Sequence, residues 1–256
     1  MIIYKSPEEI ARMHKAGEIV ADAIAATTAA VRPGITTAEL DRIAGGVIRE
    51  AGATPSFVGY GAGGGRTPFP GSICASINEQ VVHGIPGSRV IADGDLVSLD
   101  FGAIWDGYHG DAAVTVFAGT PPSEEAEHLV DATRASLEAG IKQVQIGGRL
   151  GDIGHAVEQV VEAAGFSVVR EYVGHGIGRN LHEDPQIPNY GAAGRGPAIK
   201  PGLVIAVEPM VNLGGWETEV LADDWTVVTA DGSLSAHFEH TIAVTEDGPE
   251  VLTAAR

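Results

Sequence analysis

The pattern of residues 24–52 recurs 113 positions downstream. At that offset Leu40 falls on Ile153, Ala44 on Val157, Val47 on Val160, Ile48 on Val161 and Gly52 on Gly165. The preceding stretch aligns as well, Ile24 with Leu137 and Thr28 with Ile141. Any two amphipathic helices agree about this well by chance. Two consecutive helices and a shared terminating glycine at one offset argue for duplication. β-rich sequence follows each pair. Such a chain is expected to form two similar αβ halves, roughly 1–120 and 121–256, with sheets packed together and helices outside. A cleft between the halves is then the natural place for a site.

Local signals mark the helices. Ser6 and Glu9 form a capping box with Pro7 at the first helical position, and Ile10, Met13, Gly17, Val20 and Ile24 follow at helical spacing. Val31-Arg32-Pro33-Gly34 ends that helix. Thr36 and Glu39 cap the next, which carries Leu40, Ile43, Val47 and Ile48 and stops at Gly52. A third starts near Glu124, after Thr120-Pro121-Pro122-Ser123. No low-complexity linker divides the halves, so a single domain over 1–256 is expected.

Charge narrows the partners. Lys and Arg total 16 against 34 Asp and Glu, a net −18. Binding to a phosphate backbone needs clustered cations, and an acidic surface disfavours anionic membranes. Neither nucleic acid nor membrane is an expected partner. No apolar run approaches the ~20 residues of a membrane helix, and Met1-Ile2-Ile3-Tyr4-Lys5-Ser6 lacks the basic-then-apolar pattern of a secretory leader. The one cysteine, Cys74, cannot form an internal disulfide, which fits a reducing cytoplasm. Within the apolar run Ser72–Ile77 its role reads as packing and not as a nucleophile. Gly61 to Gly65 is glycine-rich, yet no lysine, serine or helix start follows at phosphate-loop spacing.

Some of the acids invite another explanation. Leu96–Gly102 alternates with period two, which places Ser98 and Asp100 on one face, and Asp106-Gly107 is a two-residue hairpin turn. That turn pairs Asp100 with Ala113 and sets Asp111 diagonal to Asp100 on the same face, ~7–8 Å away at the backbone. Aspartate is disfavoured in strands. At 4 Å and an effective dielectric near 20, two carboxylates repel by ~4 kcal/mol. Solvent exposure would relieve that repulsion, and so would a shared cation.

Three more candidates come from later in the chain. His175 lies within Gly174–Gly178, where glycines permit close approach of backbone to a ligand, although a lone histidine is more often a loop or core residue. Glu208 closes the apolar run Val204–Val207. Glu239 sits inside Ser235–Val244, which reads as one strand. A buried glutamate needs a partner, and an arginine would serve as well as a metal. Asp100, Asp111, His175, Glu208 and Glu239 together offer oxygen and nitrogen but no sulfur, a set suited to Co, Mn, Fe or Zn. Two divalent metal ions would balance four carboxylates at the ~3.5–4 Å separation of two-metal sites.

Seven stretches then stand in the order and spacing of a known family: Ser76-Ile77-Asn78-Glu79, Val82-His83-Gly84-Ile85-Pro86, Asp106-Gly107-Tyr108-His109-Gly110-Asp111, Gly174-His175-Gly176-Ile177-Gly178, Leu181-His182-Glu183, Glu208-Pro209-Met210 and Phe238-Glu239-His240-Thr241. Over nearly its whole length the chain resembles the methionine aminopeptidases, type I, in their short bacterial form. The resemblance implies the pita-bread fold, an α/β (α+β) architecture of two pseudo-symmetric αβ halves with antiparallel sheets inside and helices outside. It implies that Asp100 chelates one metal, that Asp111 and Glu239 bridge, and that His175 and Glu208 complete the second. His83 and His182 would face the substrate. The activity implied is removal of the initiator methionine from nascent polypeptides when the next residue is small, by metal-activated water attacking the scissile carbonyl. Glu208 would take a proton, His182 would hydrogen-bond the developing oxyanion, and His83 would orient the amide. A Na or K ion near backbone carbonyls of Asn78, Gln80 and Ser235, a transient ribosome contact and a monomeric state are further implications. The helix start near Ser6 is expected to leave no room for the N-terminal extension of some relatives.

The chain departs from the commonest family pattern at the pocket. Phe57 stands where many bacterial members have a cysteine, Leu181 replaces a frequent phenylalanine, and the Gly61–Gly65 loop looks longer than usual. Phe57, Tyr60, Phe69 and Trp225 are the candidates for an apolar wall around a thioether, which packs well on aromatic edges. Core packing is the plain alternative. Two rivals share the fold: a proline-specific peptidase or creatinase, which usually carries a separate N-terminal domain, and a non-catalytic binding module, which usually loses ligands.

Overall fold

In the computed structural model, which describes residues 1–62 and 67–255, the elements run α1 (Pro7–Thr28), α2 (Thr37–Glu50), β1 (Thr54–Pro55), β2 (Ile73–Ile77), β3 (Gln80–Val82), β4 (Leu96–Trp105), β5 (Tyr108–Phe117), α3 (Glu124–Lys142), α4 (Leu150–Ala163), β6 (Ser167–Val168), β7 (Gly174–Gly176), β8 (Glu183–Ile187), β9 (Val204–Val207), β10 (Met210–Asn212), β11 (Thr218–Val220), β12 (Val227–Thr229), β13 (Ser235–His237), β14 (His240–Thr245) and β15 (Gly248–Val251). The glycine-rich stretch Gly61–Gly65 falls largely outside the described residues.

The repeat has a structural counterpart. Moving α2 by 113 positions carries Thr37–Glu50 onto Leu150–Ala163, the bounds of α4. Gly52 and Gly165 follow them at φ +76° and +83°, the left-handed conformation that ends helices cheaply only when the residue is glycine. Both expected capping boxes form, with the Ser6 and Thr36 hydroxyls accepting from the Glu9 and Glu39 amides. The buried faces of α1 and α2, including Ile19, Val20, Leu40 and Ile48, pack on Ile73, Val97, Leu99 and Phe101 of β2 and β4. In the second half Leu137, Ile153, Val157 and Val161 pack on Ile205, Val207, Ile242 and Val244. Each such side chain contributes about 1.5–3 kcal/mol of burial, so the helices stay outside and the sheets inside.

All strand pairings among the described residues are antiparallel. β4 carries β1 and β2 on one edge and β5 on the other, with Asp100 opposite Ala113 as the turn required. Asp106 and Gly107 both have positive φ, +46° and +77°, as a two-residue turn of matching twist demands. In the second half β15, β14, β9, β7 and β8 form a five-stranded sheet.

One expectation needs correction. Ser235–Val244 is not a single strand: it breaks at Phe238-Glu239 into β13 and β14, and its partner breaks at Glu208-Pro209 into β9 and β10. β9 pairs with β14 in the five-stranded sheet, while β10 pairs with β13 in a different sheet. The register is the same on both sides, Met210 with His237 and Val207 with His240, so Glu208 falls opposite Glu239 at the break. Proline has no N–H to give a ladder, and both chains leave one sheet for another where their glutamates stand.

β5 joins the halves. Ala113 and Glu239 exchange backbone hydrogen bonds of 3.3 and 2.9 Å. The Thr241 hydroxyl donates to the Asp111 carbonyl at 2.8 Å and accepts from the Asp111 amide at 3.1 Å. Two of the acidic candidates, one from each half, thus lie on the seam. Among the described residues no helix is long and apolar enough to cross a membrane.

Candidate active site

A cavity of about 170 Å³ opens over this seam, lined by Asp100, Asp111, His175, Glu208, Glu239, His83 and His182 together with Phe57, Tyr60, Phe69, Cys74, Leu181 and Trp225. All five candidate ligands, both flanking histidines and all four aromatic candidates therefore meet in one place. A larger surface depression of about 500 Å³ lies at Lys5, His14, Pro201 and Glu250. It gathers no comparable cluster among the described residues.

Asp100 and Asp111 come from the β4–β5 hairpin, His175 from β7, and the two glutamates from the sheet breaks. Ligand atoms of Asp111, His175 and Glu239 lie within 4.8 Å of one another. The Glu208 Oε1 is 3.4 Å from His175 Nε2, and an Asp111 carboxylate oxygen is 3.9 Å from the same atom. Asp100 lines the same cavity beside Asp111, each carboxyl perturbing the other. The glycines around His175 work differently from the expectation. A Cβ on Gly174 would stand 2.4 Å from the Ala206 carbonyl, and one on Gly176 2.1 Å from the Asp184 carbonyl. They let β7 run tightly between neighbouring backbones and do not open space for a ligand.

His175 is held in the tautomer that a metal ligand would need. Its Nδ1 lies 2.9 Å from the Gly176 carbonyl, which can only accept, so Nδ1 carries the proton and the Nε2 lone pair faces the carboxylates. Burial pushes this imidazole down to about 3, with His182 adding to the shift. Burial drives the acids the other way. The Asp100 carboxyl rises to about 7. Asp111 rises well above the usual range through burial and then through the charges of Glu239 and Asp100. Glu208 and Glu239 rise likewise, by burial first and neighbouring carboxylates second.

These donors fit divalent metal ions. Asp100 Oδ1, Asp111 Oδ1 and Glu239 Oε1 are sealed from solvent with no hydrogen-bond partner among the described residues. Buried carboxylates without arginine or lysine partners are costly, and a cation is the economical remedy. The oxygen-and-nitrogen set also matches hard or borderline metals.

The substrate side of the cavity is aromatic. Phe57 and Phe69 meet edge to face at 6.4 Å, and Phe69 and Trp225 at 5.4 Å. His83 stands edge-on to Trp225 at 6.4 Å and to Tyr172 at 5.7 Å. His83 has φ +59°, a conformation costing about 1 kcal/mol for a side chain of this kind. The next residue holds it there: the Gly84 amide donates to Ser76 Oγ at 3.0 Å and its carbonyl accepts from Ala75 at 2.9 Å. Tyr60 proves more than a wall. Its hydroxyl lies 2.7 Å from His182 Nδ1.

Two contributors escaped the sequence reasoning. Cys74, opposite Asp100 in register, lines the cavity, and burial with the nearby acids raises its thiol well above normal. His237 points Nε2 toward Glu208 Oε2 at 3.9 Å. Its spacing of two from Glu239 was the available signal. For the expected monovalent site, Asn78 and Ser235 are brought together by a 3.0 Å bond from the Ser235 amide to the Asn78 carbonyl, with Gln80 nearby on β3.

With this geometry in hand, the relatives are informative. The model of metallopeptidase family M24 matches residues 11–246, and the chain belongs to that family. Within it, methionine aminopeptidase 1 of Bacillus subtilis is 53% identical over 253 residues, 99% of each chain. The crystal structure of methionine aminopeptidase from Thermotoga maritima superposes with a TM-score of 0.94 at 46% identity, covering 99% of both chains. A prolidase from Pyrococcus furiosus shares the pita-bread fold at a TM-score of 0.79 and 22% identity, but this chain covers only 66% of it.

Proposed function

We propose that this chain is a metal-dependent aminopeptidase that removes the initiator methionine from nascent polypeptides when the second residue is small. The observation that carries this is the set of buried carboxylate oxygens around His175 with no hydrogen-bond partner among the described residues, in an aromatic-lined cavity of about 170 Å³. Asp100, Asp111, His175, Glu208 and Glu239 would hold two divalent ions, of Co, Mn, Fe or Zn. When bound, such ions supply Lewis acidity and a nucleophilic water near neutral pH.

The chain's own residues supply the rest. Phe57, Phe69 and Trp225 would receive the methionine thioether on aromatic edges. With the Tyr60 hydroxyl 2.7 Å from His182 Nδ1, donation from the hydroxyl would fix His182 as the tautomer that carries its proton on Nε2. His182 can then donate to the developing oxyanion, a contribution of ~2.7–4 kcal/mol for such donors. Glu208, whose carboxyl burial pushes upward, takes and returns a proton near neutral pH. His83, clamped at positive φ beside Trp225, orients the scissile amide. All five candidate ligands line one cavity within a single chain, which supports a monomer as the active form. A Na or K ion at the carbonyls of Asn78, Gln80 and Ser235 would tie β3 to β13. Cytoplasmic action on chains emerging from the ribosome follows from the substrate.

The test is methionine release from Met-Ala-Ser against cleavage of Ala-Pro peptides, after chelation and with each metal restored. Release of methionine restored by metal supports the proposal. Preference for Ala-Pro would favour the proline-specific reading, and absence of both activities with no metal bound would favour a binding module. His83→Ala should lower turnover sharply with metal retained.

A further inference from the structure

His237 is a buried imidazole that the reaction as described does not use. Its ring is almost fully enclosed, and its Nε2 has no hydrogen-bond partner among the described residues. Its backbone is fixed on both sides by one hydroxyl: the His237 amide donates to Thr115 Oγ1 at 2.9 Å, and Thr115 Oγ1 donates to the His237 carbonyl at 2.7 Å. The Ser98 hydroxyl, 2.8 Å away, completes that chain of donors. Packing of this kind leaves the ring little freedom, so where Nε2 points matters.

It points at Glu208. The Glu208 carboxylate lies between two imidazoles, with Oε1 3.4 Å from His175 Nε2 and Oε2 3.9 Å from His237 Nε2. His175 presents a lone pair on its side, because its Nδ1 is committed to the Gly176 carbonyl. Only the His237 side can present a donor. A separation of 3.9 Å is too long for a direct hydrogen bond but suits a small carboxylate shift or one bridging water.

We propose that His237 is a positioning residue for Glu208, donating from Nε2 to Oε2 so that Oε1 stays turned toward His175 and the metal position. This rests on the function proposed above. Donors behind a ligating carboxylate fix its orientation, and their loss typically costs 10–100-fold in metal affinity or activity.

Three proteins test it: the parent, His237→Leu, which keeps bulk without a donor, and His237→Gln, which keeps a side-chain N–H. Co(II) binding to the chelated proteins is measured by calorimetry, and kcat and KM for Met-Ala-Ser are measured separately. H237L should bind Co(II) about 10–100-fold more weakly and lose kcat by a similar factor with KM little changed, and H237Q should recover most of both. Parental Co(II) affinity and kcat in H237L would overturn the proposal, and so would H237Q as impaired as H237L. If H237L does not fold, judged by circular dichroism, H237Q alone decides: near-parental Co(II) affinity supports the donor role, and a loss as large as 100-fold overturns it. A parent that binds Co(II) but releases no methionine would sink the proposed function, while the calorimetric comparison still judges His237.

Discussion

Replacing Asp100 with asparagine should stabilise the metal-free protein at alkaline pH and destabilise the metal-loaded one. In the metal-free protein burial raises the Asp100 carboxyl from 3.8 to about 7. Roughly three units at 1.36 kcal/mol each make about 4 kcal/mol. Only Oδ1 of Asp100 is sealed, while the residue as a whole is partly exposed and borders an open cavity, so solvent screening reduces this to about 2 kcal/mol. The folded carboxyl keeps its proton to higher pH than the unfolded one. Its contribution is therefore fully present below about pH 4 and is lost as pH rises through about 7. Asparagine carries no charge to bury. At pH 8 the chelated variant should melt about 4–8 °C above the chelated parent, at 2–4 °C per kcal/mol for a chain of this size. The gap should close by about pH 4. With Co(II) present the order should invert, because the metal stabilises only the fold that has its ligands. Scanning calorimetry of both proteins, chelated and loaded, over this range checks all three statements. A chelated variant that melts below the parent at pH 8, or a gap that ignores pH, would refute the buried-charge account.

Other consequences are simpler to test. Tyr60→Phe removes the hydroxyl 2.7 Å from His182 Nδ1 and should lower kcat about tenfold, the worth of one hydrogen bond of about 1.4 kcal/mol, with Co(II) affinity unchanged by calorimetry. Loading the chelated protein with Co(II) at neutral pH should release protons, because Asp111, Glu208 and Glu239 titrate well above their usual range and must ionise to bind. Calorimetry in two buffers of different ionisation enthalpy counts those protons, and no release would contradict the raised carboxyls. Lys5→Met strands Glu183, since the pair is 2.8 Å apart with both side chains only 3–4% exposed. It should cost about 3–5 kcal/mol in urea unfolding and loosen the loop that carries His182, because Glu183 also accepts from the Asn180 amide.

Much of this protein is written in short stretches of sequence. The capping residues Ser6, Glu9, Thr36 and Glu39 act within one helical turn. The Asp106-Gly107 turn sets the whole β4–β5 register, because a two-residue loop allows only one pairing. The helix bounds repeat at 113 positions because each pair buries its apolar face in the same way. The five donor side chains could be named from their types and neighbours. Their convergence could not, since Asp100 and Glu239 stand 139 positions apart and no local rule reaches that far. The sheet break at Glu208-Pro209 and Phe238-Glu239 was equally hidden, because the apolar pattern of Ser235–Val244 runs through it without interruption. Only the folded chain turns Tyr60 from an aromatic wall into the partner of His182 and brings His237 against Glu208. Periodicity and caps depend on neighbours a few residues away, whereas a site depends on which distant backbones compete for the same hydrogen bonds. In this chain that competition is settled along the seam where β5 meets Glu239.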